Sequence, residues 1–224
     1  MTGHLGSMGQ VAHLVALRLD YDVVDRELLI EAADGLGWSE QQVSEFDERT
    51  DGQGGRLMRL LRTFVERAGQ SDLTVLAGGG MESVLTRTYA ETGIAEMRPD
   101  DQRYIEALHR IMNELAERKK IVIVGRGGQS ILASRSDVLH IRVACDQNER
   151  ARRISSRRDE PIDEALKRIS HSDQQREAWH HKYFDIDYRA PYHYHLVVNT
   201  GLLNDEQAAD LVVRTHQIRF GDSG

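Results

Sequence analysis

Apolar residues at positions 11, 14, 15, 17 and 19 recur at close to helical spacing, directly behind a cluster of glycines. A short apolar stretch over 22–25 follows and ends in an acid, as a strand end would. Residues 27–36 read as a helix closed by Gly35 and Gly37. Ser39-Glu40-Gln41-Gln42 has the form of a capping box opening another helix. The stretch 50–55 is a glycine-rich break, and 57–68 is amphipathic, with apolar residues at 57, 58, 60, 61, 64 and 65. Residues 71–98 carry no clear period and contain Gly78-Gly79-Gly80. By contrast 100–118 predicts a helix with Ile105, Leu108, Ile111, Met112 and Leu115 on one face.

Three later runs, Ile121-Val122-Ile123-Val124, residues 139–143 and His195-Leu196-Val197-Val198, are apolar enough to be buried parallel strands. Helical segments at 149–157, 163–181 and 205–220 alternate with them. A parallel sheet flanked by helices is the architecture that such alternation predicts. The first strand is the weak element. Only Met1-Thr2 precede Gly3, against ~5 residues in an ordinary strand. Either the central strand is short or the start is truncated, and an incomplete N-terminus is the expectation.

Composition narrows the function classes. The chain has 224 residues, which suits one α/β domain with a small insertion, or two small domains. A net charge of -7 argues against a general nucleic-acid or membrane partner, while leaving room for a local basic pocket. The lone Cys145 excludes an intrachain disulfide and a cysteine-built metal site, and reads as a small residue ending a buried strand. No metal set emerges from the ten histidines, five of which cluster at 171, 180, 181, 193 and 195, and packing or solvation is their expected role. No run is long enough for a membrane span and no signal segment opens the chain, so a cytoplasmic location is expected.

Candidate chemistry starts with Gly3-His4-Leu5-Gly6-Ser7-Met8-Gly9-Gln10. Backbone N–H groups at a helix start form an anion cradle, and glycines let that backbone approach phosphate. A full phosphate loop adds a lysine, yet no Lys or Arg precedes Arg18. Alone, the segment is a weak match and reads first as a plain glycine-rich start. Asp25 and Arg26 follow a strand end, and Gly125-Arg126-Gly127-Gly128-Gln129 follows another. Ligands of open α/β sheets bind at that edge, and arginine grips phosphate with a two-pronged fork. The alternative for Arg126 is a solvated arginine at a strand end. Arg150, Arg152, Arg153, Arg157 and Arg158 read by default as a solvated helix face. Asp173 and Arg176, at i and i+3, are either a surface pair or part of a mobile lid.

Tyr21 to Leu29, Ile121 to Gln129, Asp173 to Tyr183 and Asn199-Thr200-Gly201, taken in order, resemble the cytidylate kinase-like family of nucleoside monophosphate kinases. The resemblance spans nearly the whole chain. It implies a three-layer P-loop NTPase-type α/β fold, transfer of the ATP γ-phosphoryl to CMP or dCMP, and Mg²⁺ as cofactor. Relatives have a Gly-Ser-Gly-Gly loop, matched here by Gly6-Ser7-Met8-Gly9, so the missing lysine is partly a family trait. By resemblance Gly6, Ser7, Gly9 and Gln10 hold the ATP phosphates and Arg153 lies near the ATP base. Asp25, Arg26, Arg126 and Gln129 line the acceptor pocket. Arg168 and Arg176 close over the phosphates, oriented by Asp173. Residues 38–100 would form the acceptor-binding insertion of a single domain, and 155–190 the lid. The chain departs from the family at Gly3 and Gln10, where relatives keep arginines, and at Ile169, where the lid motif Arg-x-x-x-Asp-x-x-Arg has its first arginine. Two rivals stand beside this reading: a nucleotide-binding regulatory protein without transfer, and a kinase for another small acceptor.

Overall fold

The computed structural model describes residues 1–3, 9–24 and 99–221. The chain divides into two compact units, Met1–Val23 with Lys120–Gly224, and Val24–Lys119. In the first, strand β1 (Thr2–Gly3) leads to helix α1 (Gly9–Leu19), and strand β2 (Asp22–Val24) begins. In the second, α2 (Pro99–Arg118) buries Leu108, Ile111, Met112 and Leu115, the stripe its period predicts. The helices expected over 27–68, with their capping box, lie outside the described residues.

The first unit continues through β3 (Ile121–Ile123), the short helix α3 (Gly128–Ile131), β4 (Ile141–Ala144), α4 (Gln147–Arg158), α5 (Ile162–Phe184), β5 (Leu196–Asn199) and α6 (Asp205–Phe220). Strand β4 is parallel to β1 on one side and to β5 on the other, with Thr2 opposite Arg142 and Val143 opposite Val198. β2 pairs with β3. Met1 joins the two sets: its amine donates to the Ile123 carbonyl, and the Gly125 N–H donates to its own carbonyl at 2.8 Å. The backbone order is therefore β2-β3-β1-β4-β5, with a two-residue β1 at the centre. β1 spans two residues, and the bonds of Met1 set it beside the end of β3.

Val11, Ala12, Val15 and Ala16 of α1 pack with Val23, Val122, Ile141, Val143, Val198 and the α6 residues Ala208, Ala209 and Val212 in one apolar core. Cys145, just past β4, is buried with a free thiol. Asp146 caps α4 by accepting from the Asn148 and Glu149 amides. A capping box that sequence reading did not anticipate opens α6: Asn204 and Gln207 exchange side chain–backbone bonds. A second apolar cluster, Ala151, Ile154, Ala165 and Ile169, joins α4 to α5.

Candidate functional site

Strands β1, β4 and β5 run parallel, so their carboxyl ends share one edge, and Met1's bonds put the end of β3 beside them. Ligands bind at this edge in open α/β folds. Gly9 and Gln10 occupy the first turn of α1, where no acidic side chain opposes the positive end of the helix dipole; Gln10 is exposed. Gly6, Ser7, Asp25 and Arg26 lie outside the described residues.

The turn after β3 is unusual. Gly125, Arg126 and Gly127 have φ of 82, 54 and 68°, three successive residues in the left-handed region. Two are glycine, for which this is permitted; Arg126 is not, and holding it there costs energy. Strain of this kind collects where a side chain must be aimed. Arg126 Nη2 is buried without a hydrogen-bond partner, as is Ser130 Oγ in the helix that follows. A buried N–H without an acceptor is expensive unless a ligand supplies one.

Helix α5 lies against this turn. A Cβ built on Gly127 would stand 2.6 Å from Phe184 Cε2 and 3.1 Å from Trp179 Cη2, so only glycine lets the helix approach so closely. Gln129, 5% exposed, donates from Nε2 to His180 Nδ1 at 3.4 Å. His180 stacks on Tyr188 with ring centroids 4.9 Å apart. Burial, then the charges of Arg176 and His193, push its imidazole down to about 4, so it is neutral near pH 7. Trp179 Nε1 is a further buried donor without a partner.

Arg176 sits one turn before Trp179 and His180 on this docked helix. Its Nη1 is 4.0 Å from Asp173 Oδ1, and it too is buried without a hydrogen bond. The structure thus brings the segments carrying Arg126, Gln129, Asp173 and Arg176 to one edge of the sheet. Arg153, on α4, donates to Glu149 and to the Thr200 carbonyl beyond β5, at the same edge. Arg168 goes elsewhere: it pairs with Glu160 in the α4–α5 connection. Ile169, fully buried between α4 and α5, fixes that rotation, since one helical step turns a side chain ~100°.

Sequence reading missed Arg150. It was grouped with a solvated basic face, but its side chain is 4% exposed and grips Asp173 with both prongs, Nη1 to Oδ1 at 3.0 Å and Nη2 to Oδ2 at 2.6 Å. Period alone does not single it out: Arg150, Ala151 and Ile154 form the buried side of α4, yet the exposed Arg157 lies two turns along on the same face as Arg150. Among the described residues no cluster of three or more His, Cys, Asp or Glu could hold a metal ion.

Buried guanidinium donors at the carboxyl edge of a short-stranded parallel sheet give this α/β protein a candidate anion site. The sequence profile of the cytidylate kinase-like family matches residues 1–202. The chain belongs to that family. Among solved structures it is similar to a crystal structure described as an uncharacterized protein from Eubacterium ventriosum ATCC 27560, with 17% identity, a TM-score of 0.63, and coverage of 97% of this chain and 96% of that one. That similarity bears on the fold. No curated protein matches. No helix of the described residues is long and apolar enough to cross a membrane.

Proposed function

We propose that the protein is a phosphotransferase that moves the γ-phosphoryl of ATP to a nucleoside monophosphate, CMP or dCMP foremost, on a three-layer P-loop type fold. The observation that carries this reading is the meeting of the strained Arg126 turn with α5, each bringing a buried N–H that lacks an acceptor. Phosphate oxygens are the acceptors that suit such donors. Phosphoryl transfer asks little covalent help of a protein and depends on positioning and charge neutralisation.

In this reading Arg126 and Gln129 hold the acceptor nucleotide, together with Asp25 and Arg26. The α1 start, with Gly6, Ser7, Gly9 and Gln10, receives the ATP phosphates, and Arg153 lies toward the ATP base. Arg176, held by Asp173, neutralises charge on the transferring group; Arg168 would join only by leaving Glu160. Residues 38–100 form the acceptor-binding insertion and 155–190 the lid. The donor set fits a nucleotide phosphate better than a bare cation, so Mg²⁺ is expected to arrive with ATP, neutralising the β- and γ-oxygens. Nucleotides are the expected partners, in the cytoplasm, without nucleic acid or membrane.

A second reading has its own support. Arg18, the first cation after the loop, is bound to Glu206 and Asp210 of α6. A loop without a cation suits a protein that binds nucleotide without transferring phosphate. The test is ADP release with ATP, Mg²⁺ and a panel of monophosphates. Turnover with CMP or dCMP supports transfer; a nucleotide-dependent rise in Tm without ADP supports binding alone; turnover only with a non-nucleotide acceptor moves the assignment to another small-molecule kinase.

A further inference from the structure

We propose that Arg150 is a positioning residue: it fixes the Asp173 carboxylate and, through it, holds the Arg176 guanidinium ready for a phosphate group. The inference rests on the phosphate-binding part of the function proposed above. Three observations carry it. First, Arg150 and Asp173 meet prong to prong across α4 and α5, both shielded from water. Second, the contact is not needed to join the helices, because Ala151, Ile154, Ala165 and Ile169 already do so with apolar surface. A buried ion pair adds little stability, since desolvation offsets most of its attraction.

Third, among the described residues the cations at this contact outnumber the carboxylates. One carboxylate lies between two guanidinium groups, and the neighbouring Arg189 is paired with Glu177. Arg176 Nη1, at 4.0 Å, is close enough to Asp173 to be attracted and too far to be hydrogen-bonded. Arg150 Nε and Arg176 Nη1 are both buried with no hydrogen-bond partner. Arg150 takes one acceptor site on each Asp173 oxygen, and Arg176 is drawn to the same carboxylate by charge while its Nη1 makes no hydrogen bond. An anion with several oxygens completes the arrangement. The geometry also accounts for Ile169, whose apolar side chain packs between the helices while the cation for Asp173 comes from α4.

The test compares wild type with Arg150→Met, Arg150→Lys, Arg176→Met and the double variant Arg150→Met/Asp173→Asn. Two readouts are used: steady-state transfer to CMP, and the rise in Tm produced by inorganic pyrophosphate. Arg150→Met is expected to lower kcat about 10²-fold while KM for the acceptor changes by less than about threefold. It should also reduce the pyrophosphate-induced shift as much as Arg176→Met does. Arg150→Lys, which keeps the charge without the fork, should recover part of both. The double variant removes the pair, so it should melt like wild type and still show the kcat loss; it decides the question if Arg150→Met unfolds. Unchanged kcat and pyrophosphate response in Arg150→Met, or wild-type kcat in the double variant, would overturn the proposal. A wild type that transfers nothing but is stabilised by pyrophosphate, in an Arg150-dependent way, retires the transfer reading and leaves this one standing. A wild type without either response overturns both.

Discussion

Replacing Gly127 by alanine probes the contact on which the site is built. The backbone there has φ +68°, where an L-residue with a side chain costs roughly 1–2 kcal/mol. The new methyl would also stand 2.6 Å from Phe184 Cε2 and 2.9 Å from Cζ. That ring is not free to swing away, since it packs edge-on against Trp179 with centroids 5.2 Å apart. Forcing one extra carbon into a packed contact costs about 1–3 kcal/mol, so Gly127→Ala should lose about 2–5 kcal/mol in all. Gly125→Ala is the control: its φ is +82° but nothing lies within 4 Å of the added Cβ, so only the backbone part of the cost applies. Urea unfolding followed by circular dichroism measures both losses, and amide exchange over 176–184 shows whether α5 undocks before the rest unfolds. Equal losses in the two variants would refute the close approach of α5 to the Arg126 turn, and with it the convergence argued here.

His180 supplies a pH prediction. Its folded-state pKa, about 4, lies below the ordinary 6.5, so the unfolded chain takes the proton first. Stability is whole above pH 6.5 and falls as pH drops toward 4, by up to about 3 kcal/mol from this group. His140, also pushed down to about 4 by burial, acts in the same window. His180→Phe, which keeps the stack on Tyr188, should shrink the difference in unfolding free energy between pH 7 and pH 4.5 by the His180 share, leaving the parts of His140, His195, His216 and the Met1 amine; an unchanged difference would contradict the burial of a neutral imidazole. Asn204→Ala breaks the capping box of α6 and should cost about 1 kcal/mol in urea unfolding with no change in m-value.

Much of the frame was legible in the sequence because it rests on period. The buried stripe of α2, the three apolar strand runs and the helices between them follow from spacing alone, and Cys145 stands at its strand end as read. Gly125-Arg126-Gly127 reads in sequence as an arginine delivered between glycines at a strand end; the positive φ of all three residues is visible only in the structure. What the sequence hid was pairing. Arg150 and Arg153 are three residues apart in one basic run, yet one is buried on Asp173 and the other reaches the Thr200 carbonyl. Nothing local separates them; the partner helix does. Arg168 looked near enough to Asp173 to serve, but the burial of Ile169 turned it toward Glu160. The docking of Phe184 on Gly127 joins positions 57 residues apart, and no local pattern records it.

On the proposed function, Arg126 and Arg176 serve a single phosphate-bearing ligand. The decisive measurement is transfer of label from γ-labelled ATP to CMP for wild type, Arg126→Met, Arg176→Met and the double variant. Labelled CDP should form with wild type, fall about 10²-fold or more in each single variant, and fall in the double variant by much less than the product of the two. Independent, multiplying losses, or undiminished transfer in either single variant, would contradict a shared site.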